Sequence, residues 1–205
     1  MARPIITERR QFIRDGALLA AGALLPLPAA AQWAEIHELA GDVRLDGRRI
    51  ARNVAIQGGQ TLSTGADGQI WFTLAGDAYF LRPGSELRLR GFPGRDKLIE
   101  VLRLITGALG ATFARGPRRS VVTDTVTVGI RGTGVYVATG PGQTYACTCF
   151  GVAEVNGLTV SGTNHSARLL RRGEAHLQMA PFEGHTSEEI GRLESLAGRP
   201  YPFKP

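Results

Sequence analysis

Soft ligands and redox-active side chains are scarce in this chain of 205 residues, which has two cysteines, two methionines and four histidines. Two cysteines fall far short of the paired-cysteine knuckles that mark a strong structural zinc motif. Helical periodicity is almost absent before residue 180, which argues against a helical bundle. The longest apolar run, Ala17 to Ala31, carries Pro26 and Pro28 and is shorter than the ~20 residues a membrane-spanning helix needs, so it does not read as a lasting anchor. No Ser, His and Asp set lies in a motif context, and the paired acids Glu188 and Glu189 are accounted for by the favourable field at a helix start. An enzyme is therefore the least favoured reading.

The first thirty-one residues read as an export signal in three zones: basic, apolar, then small. Arg9 and Arg10, followed by Phe12 and a further basic residue, resemble a twin-arginine signal, and Ala29 to Ala31 offers the small-residue cleavage site. The expected mature chain starts at Gln32 in the periplasm, with no membrane helix left. Cleavage removes four arginines and two acids, taking the net charge from +6 to +4. A mild basic excess of this kind usually marks a solvated surface, and nucleic acid is not an expected partner outside the cytoplasm. The basic clusters RLRGFPGRDK and ARGPRR could at most make weak contact with anionic envelope polymer.

The mature chain is punctuated by turn signals, among them LDG, ADG, RPGS, GPG and NG. Between them lie short alternating or β-branched runs such as QIWFTL, ELRLR, VTVGI, GVYVAT and GLTV. This pattern predicts an all-β fold over residues 32–180, a sandwich or rolled β-solenoid of short, mostly antiparallel strands. In QIWFTL the expected core set is Ile70, Phe72 and Leu74, opposite Gln69, Trp71 and Thr73. IEVLRLITG has helical leucine content, but its β-branched residues and Gly107 favour a strand. Residues 181–205 differ. Thr186 and Glu189 form a capping box, Ile190, Leu193 and Leu196 recur at helical spacing, and Gly198 and Pro200 supply a stop. A helix of about three turns cannot stand alone in water, so it and the Pro-rich tail bearing Tyr201 and Phe203 should dock on the β-domain.

The stretch from GDVRLDGRRIARN to GSELRL, then VTDTVTVGIRGTGVYVATG and GVAEV, resembles the FecR-type periplasmic regulatory domain over roughly residues 36 to 160. The resemblance implies a non-catalytic sensing or binding module with an envelope protein partner, linked to envelope signalling or metal uptake. Such regulators also carry a cytoplasmic sigma-factor-binding segment and one membrane helix, which this sequence does not show. Arg131, Gly132 and Thr133 carry the hallmark. Their expected role is a tight corner: Gly132 admits dihedrals closed to other residues, Thr133 bonds the turn it enters, and Arg131 reaches a carboxylate or carbonyls across the bend.

Cys147 and Cys149 lie one residue apart in an expected strand, so both thiols should face the same side as Tyr145. Their Cα atoms would be ~6.6 Å apart, at the edge of disulfide reach, and a bond there would close almost no loop. Three states remain open: a reducible disulfide, buried inert thiols, or two thiolates converging on a transition metal with histidines completing the shell. His165, with Ala167 and Leu169 on its face, and His185, just before the helix cap, are the candidate partners, and each could equally be a hydrogen-bonded structural imidazole. His37 and His176 are poor candidates, the latter pointing to solvent. A metal- or cofactor-carrying, redox-linked protein is thus the alternative to a pure sensing module, with a structural envelope protein as a third reading.

Overall fold

A computed structural model describes residues 34–92 and 94–203, so the expected export signal lies outside the described residues. The strands are β1 Glu35–Ala40, β2 Val43–Leu45, β3 Arg48–Arg49, β4 Thr61–Thr64, β5 Gln69–Leu74, β6 Asp77–Leu81, β7 Glu86–Phe92 and β8 Arg95–Thr112. They continue with β9 Arg119–Val122, β10 Thr127–Ile130, β11 Gly134–Gly140, β12 Gln143–Val155, β13 Leu158–Gly162, β14 Ser166–Arg171 and β15 Gln178–Met179, and one helix follows, α1 Ser187–Leu196. The fold is all-β, as the turn spacing predicts, and its sheet closes in a barrel-like way rather than as an open sandwich or solenoid.

Two long strands join two layers. One layer runs β1-β5-β6-β8-β11-β12-β14-β15 and the other β3-β2-β4-β7-β8-β9-β10-β12-β13. Pairing is antiparallel except between β8 and β9. Strand β8 serves the second layer up to Thr106 and the first from Gly107 onward, while β12 serves the first up to Phe150 and the second from Gly151. Both crossings fall at a glycine with positive φ, +83° at Gly107 and +78° at Gly151, a backbone region closed in practice to residues with a Cβ.

The Arg-Gly-Thr motif explains how the second corner is held. Thr133, fully buried, donates from Oγ1 to the carbonyl of Phe150 at 2.7 Å. A Cβ on Gly151 would lie 2.2 Å from Thr133 Oγ1. Gly132, at φ +66°, brings Thr133 into position. Thr133 and Gly132 lie at a corner of the chain. Arg131 is exposed and makes no hydrogen bond or ion pair among the described residues, so its expected reach across the bend is not seen.

Between the layers lies an apolar core that includes Ile70, Phe72, Leu74, Leu102, Leu104, Val121, Val135 and Val137. A second cluster lies on the outer face of the first layer and contains Trp71, Phe80, Tyr136, Tyr145, Cys147 and Cys149, capped by Ile190, Leu193 and Phe203. Trp71, on the face opposite the core set of QIWFTL, is therefore also buried, because the C-terminal segment covers it. The helix begins as its capping box predicts, with Glu189 N–H donating to Thr186 Oγ1 at 3.2 Å and Thr186 N–H to Glu189 Oε2 at 3.0 Å. Gly198, at φ +70°, ends it. Within EAHLQM, residues 174–179, only Gln178–Met179 pairs, and His176 is exposed as expected.

Replacing Gly151 by Ala should destabilise the protein by about 2–5 kcal/mol, because it adds both a left-handed backbone strain and an overpacked contact. Adding Thr133→Ala in the same chain should relieve the contact but not the strain. Urea unfolding of both single variants and the double variant measures the coupling.

Candidate metal centre

Strand β12 brings the thiols to the outer face. Cys147 pairs across to Tyr136 of β11 and Ala167 of β14, and alternation places Tyr145, Cys147 and Cys149 together. Ala146 faces the inner core instead. Phe150 breaks the alternation. Expected opposite the cysteines, it packs with the outer cluster and meets Phe203 edge-on, because a register shift at Gly134/Val135 and the bend at Gly151 turn the chain there.

His165 follows β13 in a left-handed conformation, φ +56°, and its N–H donates to the carbonyl of Cys149 at 3.0 Å. The turn that carries it is thereby tied to the cysteine strand. His185 comes from the loop before α1 and its ring stacks on Tyr136, with centroids 4.3 Å apart and planes 18° apart. Gly184 makes this approach possible, since a Cβ there would lie 2.9 Å from the Tyr136 hydroxyl. Tyr145 holds the same loop from below, donating to the carbonyl of Pro181 at 3.1 Å and accepting from Glu183 N–H at 3.2 Å.

All four side chains named from sequence therefore meet. The Sγ atoms of Cys147 and Cys149 are 3.9 Å apart, His185 Nε2 is 3.3 Å from Cys149 Sγ, His165 Nδ1 is 3.7 Å from Cys147 Sγ, and the two nitrogens are 3.2 Å apart. The four ligand atoms lie within 4.8 Å of one another. Zinc bonds of about 2.3 Å to sulfur and about 2.0–2.1 Å to nitrogen give tetrahedral edges of about 3.8 Å for S–S, 3.6 Å for S–N and 3.3 Å for N–N. The S–S and N–N separations and two of the S–N separations match those edges to within a few tenths of an ångström. The sulfur separation is nearly twice the ~2.05 Å of a disulfide bond, and both cysteines are free thiols in this structure.

Supporting hydrogen bonds aim the imidazoles. His185 Nδ1–H donates to the carbonyl of Glu183 at 2.9 Å, which leaves the Nε2 lone pair directed at the sulfurs. His165 Nε2 pairs with Ser187 Oγ at 2.9 Å and turns Nδ1 inward. Aromatic rings wall the site, with Phe182 4.0 Å and Phe203 4.8 Å from His165 by ring centroid. Cys147, Cys149 and His185 are buried, and His165 is half-buried. A hydrogen bond from Cys149 holds the Cys147 thiol well below its ordinary range, while burial pushes Cys149 up. Burial also lowers His165. A cation bound by both sulfurs would displace the thiol protons. Neither Ser187 nor the Glu183 carbonyl carries a sequence signal for this role; their contribution follows only from the docking of the C-terminal segment.

No family model matches the chain, and no curated protein matches it in sequence. Among solved structures, it is similar to a crystal structure from Parabacteroides distasonis ATCC 8503, of a protein provisionally described as an anti-sigma factor, with a TM-score of 0.50 at 12% identity, 60% of each chain being covered. A second crystal structure, with the same description and from the same organism, gives a TM-score of 0.48 at 13% identity, again over 60% of each chain. This chain therefore spans less than two thirds of the length of either. At such identity the likeness is one of fold.

Gly184→Ala should displace the loop carrying His185, through both its φ of +79° and the contact with Tyr136. The expected loss is about 1–3 kcal/mol of stability, accompanied by a shift of the His185 ring resonances as its stack on Tyr136 opens. Thermal melts and side-chain NMR check the two effects separately.

Proposed function

We propose that this chain is an exported, non-catalytic FecR-type sensing module whose ligand-bearing element is the Cys147, Cys149, His165 and His185 centre, holding one tetrahedral transition-metal ion of the Zn(II) class. A single observation carries the metal reading: two thiols and two imidazoles from three separate chain segments converge with four of their six separations near tetrahedral edge lengths, each imidazole held by a hydrogen bond on its far nitrogen. Two sulfurs and two nitrogens suit zinc, and the soft sulfurs would also accept Cu(I). Four protein ligands leave no open position, which favours a structural or sensory ion over a catalytic one. The sensing part of the reading is supported by the FecR-like motifs and by the fold likeness to a protein described as an anti-sigma factor, which fits a regulatory role in general.

In this reading the Cys-x-Cys pair stays reduced because the ion holds both sulfurs. The two sulfurs stand 3.9 Å apart, well beyond the length of a disulfide bond.

Native and denaturing mass spectrometry of the full chain purified from its own envelope tests the centre. The expected result is a chain starting at Gln32, one metal equivalent and two reduced cysteines. A protein that takes up no ion from excess Zn(II), or that carries a quantitatively closed Cys147–Cys149 disulfide, overturns the metal reading. Cys149→Ser should abolish stoichiometric binding, whereas Ser187→Ala, which removes only the support of His165, should weaken it by about 10–100-fold. Crosslinking in the envelope should recover a specific protein partner if the sensing part holds.

A further inference from the structure

Residues 180–203 form a strap across the outer face of the first layer. Both of its ends converge on the candidate centre: Phe182, Gly184 and His185 on entry, Phe203 on exit, with Ser187 at the start of α1 bonded to His165. Between these ends Ile190 and Leu193 are fully buried over the aromatic face. Further fastenings are the ion pairs Arg82 to Glu189 at 2.7 Å and Arg192 to Glu38 at 2.8 Å, with the Arg192 guanidinium 4.3 Å from the Trp71 ring centroid, the bonds of Arg199 to Thr112 Oγ1 at 2.8 Å and to the Gly76 carbonyl, and the N–H of Ala180 donating to the Ala167 carbonyl at 3.2 Å. The partners of the Arg82–Glu189 and Arg192–Glu38 pairs keep appreciable solvent exposure, and such pairs hold little by themselves. A ten-residue helix has no stability of its own to add.

The two layers do not need the strap. The inner core is assembled from residues 34 to 170, with only Leu177 packed against it from later in the chain. The strap instead contributes one of the four ligands and the hydrogen bond that orients a second. Three ligands sit on β12 and on a turn bonded to β12, so His185 is the ligand that can leave without unfolding a sheet. Removing the ion would leave the two thiols and two imidazoles with only one another as partners, contacts weaker than four metal bonds, and the element held least firmly, the strap, is the one free to move away.

We infer that occupancy of this centre governs docking of the C-terminal strap: the ion holds residues 180–203 closed on the sheet, and its loss frees them while the β-domain stays folded, uncovering Trp71, Phe80, Tyr136 and Tyr145. This rests on the metal-binding reading above. It turns a closed site with no room for substrate into a switch of shape, in which an ion decides whether an aromatic surface is available. By thermodynamic reciprocity, whatever loosens the strap must weaken metal binding, even at residues that touch no ligand.

Amide hydrogen exchange of the full chain, with and without one equivalent of Zn(II), tests the inference, with bound metal counted by native mass spectrometry on the same samples. Protection across residues 184–198 should rise about tenfold or more on binding, while β4, β7 and β9 change little. In a Trp33→Phe background, Trp71 fluorescence should report the same transition as Arg192 leaves its ring. Arg192→Ala should lower Zn(II) affinity by about fivefold or more. One equivalent bound with unchanged strap exchange, or protection rising equally over the whole chain, would overturn the switch and leave the metal site standing. Failure to bind Zn(II) at all removes both.

Discussion

Strand β12 belongs to both layers, and that double membership is the constraint on which the site depends. Its first part must pair with β11 and β14, its last part with β10 and β13, and the change of layer is confined to Gly151. Thr133 pins the turn by bonding the Phe150 carbonyl. With the bend fixed there, the alternation behind it is fixed too. Cys147 and Cys149 point to the outer face, and Ala146 to the apolar core. A slip of one residue would exchange the two sets and send both thiols between the layers, where no imidazole waits.

An outer face built this way cannot remain bare. Trp71 and Phe80 lie 4.6 Å apart by ring centroid, and Phe80, Tyr136 and Tyr145 continue the row at 6.1 Å intervals. A contiguous aromatic row of that length exposed to water is an association site, and here the chain covers it with its own C-terminal segment. The cover is amphipathic in the ordinary sense, with Ile190 and Leu193 inward and the Arg192 guanidinium over the Trp71 ring. Beside this apolar cover, the thiols and imidazoles are polar groups taken out of water, and they are placed so that each has a partner. The same segment therefore performs two tasks, hydrophobic cover and completion of a polar site. For that reason the two tasks are coupled in the inference drawn from them.

Much of this architecture was legible in local patterns. Alternation in QIWFTL placed Ile70, Phe72 and Leu74 inward, and the capping box with Gly198 bounded the helix, because these are properties of a few neighbouring residues. The convergence of His165 and His185 on the cysteines was readable only as a possibility, since 36 residues separate Cys149 from its contact His185 and no spacing rule sets that distance. Trp71 illustrates the limit from the other side. Its position in the alternation says which face it occupies but not whether that face is later covered, and burial here comes from a helix more than a hundred residues further on. Phe150 departs from the alternation because the bend at Gly151 and the register shift in β11 interrupt the pleat on which the rule rests. The exposed guanidinium of Arg131 shows that a motif's glycine and threonine can be used in full while its first residue takes no part in the corner.

A closed tetrahedral set also constrains what the centre could do. Every ligand position would be taken by the protein, so an ion there would polarise no substrate and activate no water; its effect must pass through the segments it joins. Those segments are unequal. Cys147 lies in a strand paired on both sides, Cys149 follows it at the register shift in the same strand, and a third ligand lies on a turn whose N–H is bonded to Cys149. The fourth lies on a loop held by a tyrosine hydroxyl and a ring stack. An ion joining a rigid element to a movable one acts on the movable one, because that is where the smaller free energy of displacement lies. The asymmetry of the four ligands thus gives the proposed centre a direction of action, from the β-domain toward the C-terminal strap.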